Sequence, residues 1–85
     1  MPYTPKISSE ALRYLERLDR NTAKRIVEKI QAIAKEPFNF RLSKPLRASN
    51  KRTARVGDYR ILFVVESDTL LVSDIGPRGN VYRDI

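Results

Sequence analysis

Residues 52–75 read Arg52-Thr53-Ala54-Arg55-Val56-Gly57-Asp58-Tyr59-Arg60-Ile61-Leu62-Phe63-Val64-Val65-Glu66-Ser67-Asp68-Thr69-Leu70-Leu71-Val72-Ser73-Asp74-Ile75. Branched and aromatic residues dominate the stretch, and such side chains suit a pleated, half-buried surface. Two polar pairs, Gly57-Asp58 and Ser67-Asp68, interrupt it at the spacing of two-residue hairpin turns. The pattern predicts strands over Arg52–Val56, Tyr59–Val65 and Leu70–Ile75, joined as an antiparallel meander. Ile61, Phe63 and Val65 alternate with Arg60, Leu62 and Val64. Side chains alternate across a strand, so Arg60 falls on the face opposite Ile61 and Phe63.

Working back from the meander, residues 36–50 carry prolines at 37 and 45 and hold no sustained period. This segment reads as an irregular connection, with Phe38, Phe40 and Leu46 expected to pin it to the core. Before it, Ala23, Ile26, Val27, Ile30, Ile33 and Ala34 recur at i, i+3, i+4, i+7, the stripe of an amphipathic helix from about Thr22 to Lys35. Pro37 stops that helix. Asp19 and Asn21 mark a break and a new cap. Ala11, Leu12, Leu15 and Leu18 predict an earlier helix over residues 9–18, with Ser8 and Ser9 as candidate N-caps. Glu10 in its first turn suits the helix dipole. Tyr3 to Ile7 reads as a short strand, which Pro5 confines to a sheet edge or a strand end. After the meander, Gly76-Pro77-Arg78-Gly79 reads as a loop, and Val81 to Ile85 as a tail, either a last strand or one helical turn.

The expected fold class is therefore α+β: an N-terminal short strand and a helical hairpin packed on one face of a small, mostly antiparallel twisted sheet. The other face is left to solvent or a partner. At 85 residues, one domain spanning 1–85 is the expected organisation.

Composition removes several chemistries. The chain has no cysteine and no histidine, so disulfides, thiolate zinc sites and histidine-based acid–base systems cannot be built from it. No Walker or dinucleotide glycine pattern occurs. The expectation is no cofactor and no metal. Nothing approaches the roughly 20 apolar residues that span a bilayer. The N-terminal residues also lack the apolar stretch of a secretory signal. A cytoplasmic location and no membrane partner are expected.

What remains is cationic. Lys and Arg total 17 against 10 Asp and Glu, a formal charge of +7. An excess of that size attracts polyanions. Arg47, Lys51, Arg52, Arg55, Arg60, Arg78 and Arg83 follow Pro45, with Tyr59 and Tyr82 among them. Guanidiniums converging on one face bind phosphate in bidentate fashion, and a tyrosine offers a ring for stacking on a base. The plainer reading, ordinary surface arginines with Tyr82 packed at the core edge, stands beside it. Arg60 is the stronger case, because a charge embedded in an apolar strand needs a reason.

The run Arg55-Val56-Gly57-Asp58-Tyr59-Arg60-Ile61, followed by a strand and then by Ile75-Gly76-Pro77-Arg78 and Val81-Tyr82-Arg83, resembles the RelE/ParE toxins of prokaryotic toxin–antitoxin systems. The opening strand, the Leu18-Asp19-Arg20 junction between helices and Lys44-Pro45-Leu46 before the meander resemble them too. The resemblance implies a RelE-like fold and an acidic antitoxin as partner. Its RelE branch implies metal-independent cleavage of messenger RNA in the ribosomal A site, the ribose 2′-hydroxyl attacking the adjacent phosphate. On that reading Arg60, Arg78 and Tyr82 are catalytic. Arg60 holds the scissile phosphate, Arg78 stabilises the transition state or protonates the leaving oxygen, and Tyr82 stacks on a base or assists proton transfer. Lys51, Arg52, Arg55 and Arg47 bind nucleic acid. Thr53 stands where ribosome-dependent members commonly carry a lysine, which leaves the general base open. The ParE branch implies instead inhibition of DNA gyrase without RNA cleavage. A non-catalytic basic homologue that binds RNA or a partner is the third reading.

Overall fold

The computed structural model describes residues 3–46 and 49–77. They form a strand, β1 (Thr4–Ile7), two helices, α1 (Ser9–Arg17) and α2 (Arg20–Lys35), then β2 (Lys44–Pro45), β3 (Arg52–Val56), β4 (Tyr59–Glu66) and β5 (Thr69–Pro77). The sheet order is β1-β5-β4-β3-β2. β1 runs parallel to β5, and every other pairing is antiparallel. The expected α+β architecture is thus what the chain adopts, with one parallel edge contributed by the strand before the helices.

Each helix starts where a side chain can satisfy its free N–H groups. Ser8 Oγ accepts from the Ala11 N–H at 3.1 Å and caps α1. Asp19 accepts from the Thr22 N–H at 3.1 Å and from the Thr22 hydroxyl at 2.6 Å, capping α2. Those two bonds, the hydroxyl first, hold the Asp19 carboxyl below its ordinary pKa. Helix α2 therefore begins two residues earlier than Thr22. Beyond its cap, Ser8 donates its hydroxyl to the Ser73 carbonyl at 2.8 Å, and its N–H to the Val72 carbonyl at 2.9 Å. The start of α1 is thereby fastened to the middle of β5.

The core lies between helices and sheet. Ala11 and Leu15 of α1, and Ile26, Ile30, Ile33 and Ala34 of α2, meet Ala54, Ile61, Phe63, Leu70, Val72 and Ile75. Leu12 and Val27, which belong to the predicted stripes, are exposed. The hairpin turns fall as predicted. Gly57 takes φ 57° and Ser67 φ 52°, the left-handed conformation that tight hairpins require of a turn residue.

Two expectations for residues 36–50 are corrected. Lys44–Pro45 is a strand, antiparallel to Arg52–Thr53. Pro45 is tolerated there because the strand is at the sheet edge, where a missing N–H breaks no ladder on the outer side. Phe38 and Phe40 do not pin the connection to the core: they are 60% and 76% exposed. Leu46 is half-buried, and its N–H donates to the Lys51 carbonyl at 3.0 Å. The segment is anchored by polar bonds instead. Ser43, 2% exposed, donates its hydroxyl to the Pro37 carbonyl at 3.0 Å. Asn39 accepts at its carbonyl from the Leu42 and Ser43 N–H groups and at Oδ1 from the Arg41 N–H.

Candidate functional site

Strand register decides which cations share a face. On β3 and β4, Arg55 lies directly opposite Arg60, Ala54 opposite Ile61 and Thr53 opposite Leu62. Ala54 and Ile61 are in the core, so Thr53, Arg55, Arg60 and Leu62 belong to the face turned away from the helices. The side chain of Arg55 is exposed and donates from Nε to the Gly57 carbonyl at 3.0 Å. Arg60 is half-buried with its Nε shielded from solvent. Gly76 lies opposite Arg60 on β5. Two guanidiniums set directly across a strand pair can both reach one anion bound over that face.

Beyond the two-residue β2, the edge of β3 opens onto a cleft of about 290 Å³. Its walls carry Lys29 of α2, Arg41 of the connection, Lys44 of β2, and Arg55 and Arg60, with no carboxylate among its lining residues. Phe40 stands at its margin. Low-dielectric walls lined by one sign of charge focus the potential inside a cleft. The site can therefore do one thing well: hold a phosphodiester or another compact anion through bidentate guanidiniums. Among the described residues, no group of carboxylates is arranged to hold a metal ion.

Comparison with known proteins bears on the family and the fold. Residues 6–82 match the family model described as the ParE toxin of type II toxin–antitoxin systems, parDE. The chain belongs to this toxin family. Similar solved structures come from RelE-type complexes of the same superfamily. The RelBE2 toxin–antitoxin complex of Mycobacterium tuberculosis contains a chain 29% identical, with a TM-score of 0.81 over 92% of this chain and 100% of that one. The archaeal RelE–RelB complex of Pyrococcus horikoshii gives 23% identity and a TM-score of 0.77, over 94% and 99%. The intact RelBE complex of E. coli gives 16% and 0.78, over 92% and 99%. A sequence comparison with curated proteins finds no match.

Within the toxin, the residues singled out from sequence divide into four groups. Arg55 and Arg60 are brought together on the open face. Arg47, Arg78, Tyr82 and Arg83 lie outside the described residues. Arg52 and Tyr59 are corrected, because both turn to the helix side of the sheet. Arg52 is opposite Phe63 and spends its guanidinium on Ser43, donating from Nε to Oγ at 3.0 Å and from Nη2 to the carbonyl at 3.3 Å. Its guanidinium carbon also lies 5.3 Å from the centre of the Phe38 ring. Tyr59 packs edge-on against Tyr14, with ring centres 6.3 Å apart. Burial, and then the neighbouring Tyr59, raise the Tyr14 pKa. Lys51 is near the open face, but its Nζ is 3.6 Å from Asp74 Oδ2, so its charge is largely answered within the fold.

Asp74 is the residue that sequence reasoning missed. It also accepts the Ser73 hydroxyl at 2.9 Å. A bulge lies between Leu62 and Phe63 in their pairing with β5: Leu62 opposes Asp74, whereas Phe63 opposes Val72. Ser73 is the extra residue. It shifts the alternation by one, carrying Asp74 to the open face and Ile75 into the core.

Proposed function

We propose that this chain is a toxin that cleaves messenger RNA at the ribosome by a metal-independent route, and that an acidic antitoxin restrains it in the cytoplasm. The Arg55–Arg60 pair over a cleft whose charged lining residues are all cations carries the reading. The ribose 2′-hydroxyl attacks the adjacent phosphate, its proton passing to a base. The bond to the 5′-oxygen breaks, that oxygen takes up a proton, and a cyclic phosphate remains. Arg60, with Arg55 beside it, grips the scissile phosphate and offsets the charge that builds on the phosphorane. Gly76 opposes Arg60, and the chain reaches Arg78 two residues later in sequence. That connectivity supports Arg78 as a second transition-state cation and Tyr82 as a stacking or proton-transfer group. No cofactor enters the scheme. The M. tuberculosis RelBE2 and E. coli RelBE structures are toxin–antitoxin complexes, which supports an antitoxin partner here.

A second reading, inhibition of DNA gyrase, is favoured by the match to the ParE family model. Two assays separate them. Programmed ribosomes incubated with the protein yield cut messenger RNA on the first reading and intact message on the second. Supercoiling by purified gyrase is unaffected on the first and blocked on the second. Intact message under conditions where supercoiling is blocked overturns the nuclease assignment.

A further inference from the structure

Two of the three phenylalanines stand on one short connection, exposed, while the third, Phe63, is fully buried. Exposed phenyl rings are costly to hydrate and contribute nothing to the core. Yet the connection is held firmly: Ser43 is buried, and Asn39 ties four backbone positions through its own carbonyl, its N–H and its Oδ1. The rings are thus presented by a rigid support. Each also has a guanidinium beside it, Arg41 at 6.0 Å from the centre of Phe40 and Arg52 at 5.3 Å from that of Phe38.

Phe40 borders the cleft that holds Lys29, Arg41, Lys44, Arg55 and Arg60. We propose that Phe40 with Arg41 forms a base-stacking subsite for single-stranded nucleic acid, next to the phosphate-binding cations of the cleft. The inference deepens the proposed function and rests on its reading of the cationic face as an RNA site. A planar base needs only an exposed ring face and a cation nearby, and successive phosphates need successive cations. Both are present here side by side. An apolar side chain of a protein partner needs a pocket to fill. The cleft that Phe40 borders gathers five cations, which suits a run of phosphates better than an apolar side chain.

The test uses binding, not cleavage. The probes are a short 2′-O-methyl RNA carrying 2-aminopurine, which lacks the attacking hydroxyl, and its abasic counterpart. Wild-type protein is expected to quench the fluorophore and bind the base-bearing strand. Phe40→Ala is expected to weaken that binding about tenfold or more, as loss of one stacked base does. The abasic strand is expected to bind both proteins alike, and Phe40→Trp, unlike Phe40→Leu, to restore affinity. Thermal melting of each variant confirms the fold. Equal binding of the base-bearing strand by wild type and Phe40→Ala overturns the subsite while leaving the cationic face standing. Failure of the wild type to bind either strand overturns both. Loss of an acidic polypeptide's binding in Phe40→Ala, with RNA binding unchanged, makes the ring a protein contact and overturns the stacking role.

Discussion

Arg55 and Arg60 face one another across adjacent strands, so both can reach one anion bound on the open face. If that anion is the scissile phosphate, Arg60→Ala and Arg55→Ala each slow cleavage of ribosome-bound message. The loss for Arg60 is about 10²–10³, the scale for removing one charge-stabilising donor. Arg60→Ala also relieves growth arrest on expression, provided circular dichroism shows a folded protein. Asp74 makes the opposite prediction. Its carboxylate answers Lys51, so Asp74→Asn leaves a cation uncompensated near the open face. The variant binds a non-cleavable RNA oligonucleotide more tightly than wild type at low salt, and the advantage shrinks as salt screens the charge. Fluorescence anisotropy across a salt series checks this; unchanged affinity at low salt would sever Asp74 from the site.

Between neighbouring elements, the decisive contact is the one fastening α1 to β5. Ser8 caps the helix and donates to the carbonyl of the bulge residue Ser73. Ser8→Ala removes both bonds. It is expected to destabilise the fold by about 1–2 kcal/mol, the upper part of the range for a lost cap, measured by chemical denaturation. The β3–β4 turn has a different sensitivity. Gly57 sits at φ 57°, and an added methyl group meets only the end of the Arg25 side chain at 3.8 Å, an ordinary contact. Space is therefore no obstacle to Gly57→Ala, and the backbone conformation alone sets its cost at about 1–2 kcal/mol. A shift in the denaturation midpoint with an unchanged slope is the expected signature.

Across the molecule, charge governs affinity. The cleft gathers five cations on a protein of net charge +7. If they neutralise five phosphates of a single strand, the logarithm of the affinity falls with the logarithm of salt concentration at a slope of about −3.5. A slope near zero contradicts the electrostatic reading of the cleft.

Much of this is legible in the sequence alone. The period of two between Arg52 and Val65 marks strands and turns, and the periods of Ala11–Leu18 and Ala23–Ala34 mark the helices. Neighbours along a chain impose those periods through backbone geometry alone, so they survive without knowledge of the fold. The two-residue Gly57-Asp58 turn, legible in the same pattern, sets the register that brings Arg55 opposite Arg60. The fate of Phe38, Phe40, Arg52 and Asp74 is not legible in this way. Residues 36–43 have no period, and whether their rings go in or out depends on how Ser43 and Asn39 tie the backbone. Arg52 faces the helix side because it lies opposite Phe63 and because Ser43, placed beside it by the β2–β3 pairing, receives its guanidinium. Asp74 shares its parity with Leu70 and Val72, yet faces the other way. Alternation predicts a side chain's face only while the ladder runs unbroken, and a bulge of one residue, set by pairing with another strand, inverts everything after it.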